Sequence, residues 1–160
     1  LGLRDDLDKE KENLANLANR KALAISSTAG ALADKMGRAL PYGEAMFNVD
    51  EDGGVYLGWN LPDRGPVAYG GLSGGQRVLF DSALAYALSQ PGKKNSLILV
   101  EGAELGEEIG LLLESVAKSN VEAQIIACTC HELEAVPAGW SLLRIGKNGE
   151  ALPEEAANEF

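Results

Sequence analysis

LSGGQRVLFDSALAYAL, residues 72–88, is the stretch that decides the fold. A polar, glycine-rich cluster opens directly into a run with helical apolar spacing, which places the cluster at a helix N-terminus. There the glycines let backbone amides approach a ligand, Ser73 offers a hydroxyl, and the helix dipole adds positive potential. Such a loop suits an anion. The alternative is that Ser73 only caps the helix and the glycines only turn the chain.

Strands and helices alternate around this stretch. Residues 44–60, EAMFNVDEDGGVYLGWN, predict a hairpin, and the Pro/Gly-rich segment 61–71 reads as a connection. After the helix come an apolar strand, a helical run and two further strands, at SLILV (96–100), 105–119, QIIACT (124–129) and WSLLRI (140–145). The alternation predicts an α/β fold with a parallel central sheet flanked by helices.

Residues 1–40 form a separate helical segment in this interpretation. Leucines at positions 3, 7, 14 and 17 recur at helical steps in a highly charged sequence. The narrow apolar stripe predicts the end of a coiled coil, with an amphipathic helix packed on its own domain as the alternative. The sequence then divides into this segment, a domain over 41–148 and an acidic tail over 149–160.

Composition restricts the function. The net charge is −10, from 24 acidic and 14 basic residues, so the chain lacks the broad positive surface of an autonomous nucleic-acid-binding protein. No apolar run is long enough to span a bilayer and no signal sequence is visible, so we expect a cytoplasmic protein with no membrane partner. Cys128 and Cys130 are the only cysteines and His131 the only histidine, too few for a zinc site, so no metal-ligand set is predicted.

Residues 72–88, LSGGQRVLFDSALAYAL, resemble the ABC ATPase signature motif. The resemblance continues through a strand that ends in Glu101 and a later strand that ends near His131. Together with the helical start, it is similar to the C-terminal lobe of the SMC and SbcC-type ATPases of DNA repair and chromosome maintenance. That resemblance implies the C-terminal half of a P-loop NTPase head domain, with residues 1–40 as the returning end of a long coiled coil.

The resemblance also implies roles for the loop. In such proteins the signature residues contact the γ-phosphate of an ATP molecule held by the opposite protomer of a head-to-head dimer. The matching residues here are Ser73, Gly74, Gly75 and Gln76. Arg77 follows directly and is expected to face nucleotide or an acidic partner, with a solvent-exposed position on the helix as the alternative.

The strand ending in Glu101 resembles a Walker B strand. Glu101 then orients and deprotonates the attacking water, a role suited to a carboxylate in phosphoryl transfer. The alternative is a surface residue at a strand end. The family has Asp immediately before this Glu, where it helps to hold Mg²⁺, whereas this chain has Val100. The departure predicts weakened Mg²⁺ binding or turnover.

Two further positions match less regularly. The segment GAELGEE resembles the D-loop but is one residue short, so that either Gly106 or Glu107 occupies the position of its Asp. His131 resembles the switch histidine that senses the γ-phosphate, although strict counting from Gln124 puts Cys130 there. The alternative for His131 is a solvent-facing residue at a strand end.

The sequence contains no Walker A loop, because no Gly-Lys-Ser or Gly-Lys-Thr occurs in it. The expected partners are an N-terminal lobe that binds ATP and supplies most of the Mg²⁺ ligands, a second head in a homodimer, DNA, and a nuclease or other DNA-processing subunit. We expect no ATP hydrolysis by this chain alone. The alternatives are a non-hydrolysing, nucleotide-gated clamp, and a transporter or translation-type ABC subunit.

Overall fold

The structure, a computed structural model, describes residues 2–50, 53–89, 96–119, 123–133 and 135–152. Within these ranges the chain is a mixed α/β protein, which confirms the α/β class in general. The helices are α1 (Gly2–Ala39), α2 (Gly74–Leu88) and α3 (Ile109–Lys118), with 3-10 helices at Tyr69–Gly71 and Ala103–Glu108. The strands are β1 (Glu44–Val49), β2 (Val55–Leu61), β3 (Gly65–Ala68), β4 (Ser96–Glu101), β5 (Ala123–Cys128), β6 (Arg144–Ile145) and β7 (Ala151–Leu152).

Helix α1 is one continuous helix of 38 residues, about 57 Å long at 1.5 Å per residue. Its first part is exposed on all sides, including Leu14 and Leu17, which are 71% and 60% exposed. Burial begins at Ala29, and Met36 is completely buried. Only the C-terminal third of α1 therefore packs on the rest of the domain.

An antiparallel sheet follows α1. β1 and β2 form the predicted hairpin, with Glu44 opposite Asn60 and Val49 opposite Val55. The turn residues Glu51 and Asp52 lie outside the described residues. The segment predicted to be a connection adds β3, which pairs with β2. That prediction was wrong because tertiary pairing decides the strand, and Pro66 is tolerated on an edge strand that needs no further donor.

The parallel sheet consists of β4 and β5 within the described residues, with Ser96 opposite Ala123 and Glu101 opposite Cys128. Along β4, Ile98 and Val100 are buried whereas Leu97, Leu99 and Glu101 are exposed. The parallel pairing of these strands agrees with the prediction, and it brings the carboxyl ends of both strands to one edge.

One hydrophobic core joins the end of α1, the antiparallel sheet, α2 and α3. Trp59 is completely buried, stacks on Tyr42 at 4.9 Å between ring centroids, and donates its indole N–H to the Tyr42 carbonyl oxygen at 3.0 Å. Ser115 of α3 donates its hydroxyl to the carbonyl oxygen of Ala39. The Ser115 bond ties α3 to the end of α1, and Trp59 also packs on Phe80 of α2, at 6.4 Å between ring centroids.

The C-terminal part differs from the sequence prediction. The expected strand over 140–145 is reduced to β6, which pairs antiparallel with β7 rather than joining the parallel sheet. Leu143 is 67% exposed, and the indole N–H of Trp140 bonds to the Leu113 carbonyl oxygen at 2.9 Å, which ties this segment to α3. Part of the predicted tail, 151–152, is strand β7, and residues 153–160 lie outside the described residues.

Among the described residues, no helix combines the length and the apolar character needed to cross a membrane.

Candidate functional site

The loop 73–76, which resembles the ABC signature motif, begins α2 with a capping box. The Ser73 hydroxyl accepts a hydrogen bond from the Gln76 N–H at 3.2 Å, and the Gln76 side-chain oxygen accepts one from the Ser73 N–H at 3.0 Å. Each side chain thus satisfies the other residue's backbone donor, and such a cap contributes about 1 kcal/mol to a helix. The capping alternative for Ser73 is realised in the structure. It leaves the hydroxyl proton of Ser73 available as a donor.

Gly74 and Gly75 pack tightly against the segment 103–108. A Cβ on Gly74 would collide with the Glu104 carboxylate, and one on Gly75 would lie 3.0 Å from the Glu104 carbonyl oxygen. The two glycines therefore allow the N-terminus of α2 to approach this segment closely. This intrachain packing is a role that the sequence pattern did not reveal.

The Arg77 side chain contacts the 3-10 helix at Tyr69–Gly71. Its guanidinium donates to the Gly70 carbonyl oxygen at 2.9 Å and lies 5.8 Å from the centre of the Tyr69 ring. The Tyr69 hydroxyl donates to Asp81 at 2.9 Å. This hydrogen bond, with smaller effects of burial and of the Asp81 charge, raises the pKa of Tyr69, while Arg77 acts to lower it.

Glu101 and His131 lie at the carboxyl edge of the parallel sheet, where each contacts the backbone of Ala103. A Glu101 carboxylate oxygen accepts the Ala103 N–H at 2.9 Å, and Nε2 of His131 lies 2.8 Å from the Ala103 carbonyl oxygen. The N–H of His131 also donates to the Thr129 hydroxyl oxygen at 3.0 Å. The two predicted catalytic residues are thus bound to backbone groups of the same residue, and both are exposed to solvent.

The Val100 side chain lies on the buried face of β4, opposite to that of Glu101. It is 6% exposed and belongs to the core between β4 and the helices, whereas its neighbour Glu101 is on the exposed face. The position that the resemblance assigns to a Mg²⁺-holding Asp is therefore apolar and buried in this chain.

The D-loop-like segment is a 3-10 helix interrupted at Gly106. Gly106 has φ of 53° and ψ of −128°, a backbone conformation that is nearly restricted to glycine. The sequence pattern predicted a helix from Leu105. The break at Gly106 explains why the regular helix starts only at Ile109. Glu107 is exposed and Gly106 half-buried, so only Glu107 offers a side chain to a partner there.

The site is rich in carboxylates. Glu101 is exposed at the sheet edge, Glu104 is exposed beside Gly74, and Glu108 has a carboxylate oxygen 3.4 Å from where a Cβ on Gly75 would stand. Burial raises the pKa of Tyr42, and the charge of Glu108 raises it further. In the part of the chain that the structure describes, no cluster of three or more His, Cys, Asp or Glu side chains could hold a metal ion, and Cys128 and Cys130 are free thiols.

Glu104 and the Ala103 peptide are the site groups that the sequence interpretation missed. Ala103 acts through its backbone, so residue type carries no signal for it. Glu104 is one of several acidic residues in GAELGEE, and only the packing of this segment against α2 distinguishes it.

A scan against protein-family models finds no match to this chain, and a search of curated proteins finds none with significant similarity.

Proposed function

We propose that this chain is the C-terminal lobe of an SMC/SbcC-like ABC ATPase, in which the loop 73–76 contacts the γ-phosphate of ATP held by an opposite head. One observation carries the proposal. Three segments that are distant in sequence, the loop, the end of β4 and the turn after β5, are linked through residues 103–104. Glu104 packs on Gly74, and Ala103 binds both Glu101 and His131.

In this function the loop acts as the anion-binding element. Apart from the Gln76 N–H, which donates to the Ser73 hydroxyl oxygen, the first amides of α2 have no acceptor within the helix, and the helix dipole favours a negative charge there. The Ser73 hydroxyl proton supplies a further donor. ATP, bound with Mg²⁺ mainly by an N-terminal lobe, would join two heads by bringing its γ-phosphate to this end of α2.

Glu101 is then the group that orients and deprotonates the attacking water. It is exposed at the sheet edge, and the carboxylate oxygen that does not bind the Ala103 N–H can accept a hydrogen bond from water. His131 provides a second polar contact at the same edge. The long exposed part of α1 would pair with another coiled-coil strand and connect the head to the DNA-tethering or end-processing machinery.

A non-hydrolysing clamp is the second candidate, and Val100 is the observation that favours it. A buried valine cannot bind Mg²⁺ through water, so that turnover would depend entirely on ligands from the other lobe. In that case ATP binding closes the heads and hydrolysis contributes little. The chain would then act as a nucleotide-gated scaffold.

The experiment mixes this chain with its N-terminal lobe and measures ATP-dependent dimerisation by light scattering. Ser73→Asn and Ser73→Asp both keep a good N-cap, so both variants should stay folded. Asp adds a negative charge where the γ-phosphate should arrive, and we expect it to abolish ATP-dependent dimerisation, whereas Asn should weaken it only moderately. Ser27→Asp, on the exposed part of α1, is the control for added charge and should have no effect.

Equal dimerisation by the Asn and Asp variants would contradict the proposal, because a loop that only caps α2 does not distinguish these side chains. Dimerisation that needs no ATP would also contradict it.

A further inference from the structure

Ala103 contacts both predicted catalytic side chains through its backbone, one with its N–H and the other with its carbonyl oxygen. Its N–H donates to the Glu101 carboxylate at 2.9 Å, and its carbonyl oxygen lies 2.8 Å from Nε2 of His131. The backbone around it is fixed as well, since the Gly102 N–H donates to the Cys128 carbonyl oxygen at 2.7 Å. That bond ties the start of the segment to the end of β5.

The carbonyl partner determines the protonation of the imidazole. A carbonyl oxygen can only accept a hydrogen bond, so Nε2 of His131 must carry the proton. In the neutral ring Nδ1 is then the unprotonated nitrogen and remains for a water or a ligand. The bond from the His131 N–H to the Thr129 hydroxyl oxygen holds the backbone that presents the ring.

We infer that Ala103 is a positioning residue for both side chains, and that it holds His131 in the Nε2–H tautomer with Nδ1 as the atom that meets a ligand. Because the two bonds share one residue, a movement of the segment 103–108 changes the placement of Glu101 and His131 together. The inference rests on the proposed function only for the chemistry that the two side chains perform.

The test uses nuclear magnetic resonance on the 160-residue chain without nucleotide. His131 is the only histidine, so its two ring nitrogens can be assigned in a sample labelled with ¹⁵N-histidine. We expect a protonated Nε2, an unprotonated Nδ1 and an Nε2–H proton that exchanges slowly enough with water to be observed. The same sample unfolded in urea is the control and should show averaged nitrogens. A protonated Nδ1 in the folded neutral ring would overturn the inference.

Paired variants test whether the anchor is shared. Glu101→Gln keeps an acceptor for the Ala103 N–H and should leave the Nε2–H signal unchanged, whereas Glu101→Ala should make this proton exchange faster. In the other direction, His131→Gln keeps a donor of similar reach and His131→Asn does not. We expect the Ala103 amide to exchange about fivefold faster in the Asn variant, as for the loss of one hydrogen bond, and to be unchanged in the Gln variant.

The indole N–H of Trp59, bonded to Tyr42 in the core, reports in the same spectra that each variant is folded. If folded variants show no effect of Glu101 on the His131 proton or of His131 on the Ala103 amide, the two bonds are independent and the inference is wrong. This experiment does not measure ATP-dependent dimerisation. The proposed function and the shared role of Ala103 can therefore fail separately.

Discussion

The carboxylate of Glu104 lies so close to Gly74 that a Cβ on Gly74 would collide with it. It places a negative charge at the N-terminus of α2, where the helix dipole favours an anion. In the proposed head dimer the γ-phosphate approaches the same end of α2. The carboxylate and the phosphate then repel each other, and Glu104 weakens the attraction of the loop for nucleotide.

Replacing this carboxylate should strengthen ATP-dependent dimerisation. Charges at a helix end contribute about 0.3–1 kcal/mol, so we expect Glu104→Gln to lower the ATP concentration needed for half-maximal dimerisation by about twofold to fivefold. Light scattering of the reconstituted heads measures it, with Glu12→Gln on the exposed part of α1 as the control for charge. A higher ATP requirement in Glu104→Gln would mean that this carboxylate helps the closed state.

The glycines of the loop should respond differently to alanine. At Gly74 the nearest atoms belong to the flexible Glu104 side chain, which can move, whereas at Gly75 the nearest is a backbone carbonyl oxygen at 3.0 Å. We expect Gly75→Ala to lower the free energy of unfolding by about 1 kcal/mol and Gly74→Ala to change it little. Urea unfolding measures both.

Gly110→Ala is the matched control for the glycine pair. It lies in α3, and a Cβ there meets no heavy atom within 4 Å. Alanine is the better helix former, so this variant should gain about 0.5 kcal/mol. Equal effects at positions 74 and 75 would show that contact with the segment 103–108 does not distinguish the two glycines.

An acidic residue at position 100 should destabilise the lobe. Val100 is 6% exposed and packs in the core, so Val100→Asp buries a carboxylate and should lower the free energy of unfolding by about 3 kcal/mol or more. Val100→Ala, which removes only methyl groups, should cost about 2 kcal/mol. Urea unfolding of this chain checks the order. If Val100→Asp is as stable as the wild type, the side chain reaches solvent at the sheet edge and could serve Mg²⁺ there.

Tyr69 should titrate above an ordinary tyrosine. Its pKa is raised first by the hydrogen bond to Asp81, so the folded state binds the proton more tightly than the unfolded state does. The stabilisation is therefore complete below the unfolded pKa of about 10 and is lost as pH rises through the folded value. In a spectrophotometric titration, Tyr69→Phe should remove a tyrosine that ionises late. If the tyrosine that disappears in Tyr69→Phe ionises at the pH of an ordinary tyrosine, the hydrogen bond to Asp81 is contradicted.

Local sequence signals were sufficient for several elements. The cap at Ser73 and the apolar spacing after it predict α2, and the Asp/Gly-rich turn between two strand-like runs predicts the β1–β2 hairpin. The apolar run in β4 predicts a strand, and its parallel pairing with β5 brings Glu101 and the turn before His131 to one edge. In each case the local preference and the tertiary structure agree.

Tertiary packing explains what the sequence did not predict. β3 contains Pro66 and becomes a strand only because β2 offers a partner, while residues 140–143 have a strand-like composition but no strand partner among the described residues. The approach of Glu104 to Gly74 depends on how two separate segments pack, and the Ala103 contacts are made by backbone groups. Neither leaves a pattern of residue types in the sequence.

Replacing Glu101 separates an ATPase from a clamp. Glu101→Gln keeps an oxygen that can accept the Ala103 N–H, so the sheet edge should stay intact, but an amide cannot take a proton from water. If the reconstituted heads hydrolyse ATP, this variant should reduce turnover by about 100-fold or more and prolong the ATP-bound dimer. Phosphate release and dimer lifetime measure the two effects. A clamp, which does not depend on hydrolysis, predicts equal lifetimes for the wild type and Glu101→Gln. This chain alone should release no phosphate in either form, because its sequence contains no Walker A loop; turnover by this chain alone would contradict both proposed functions.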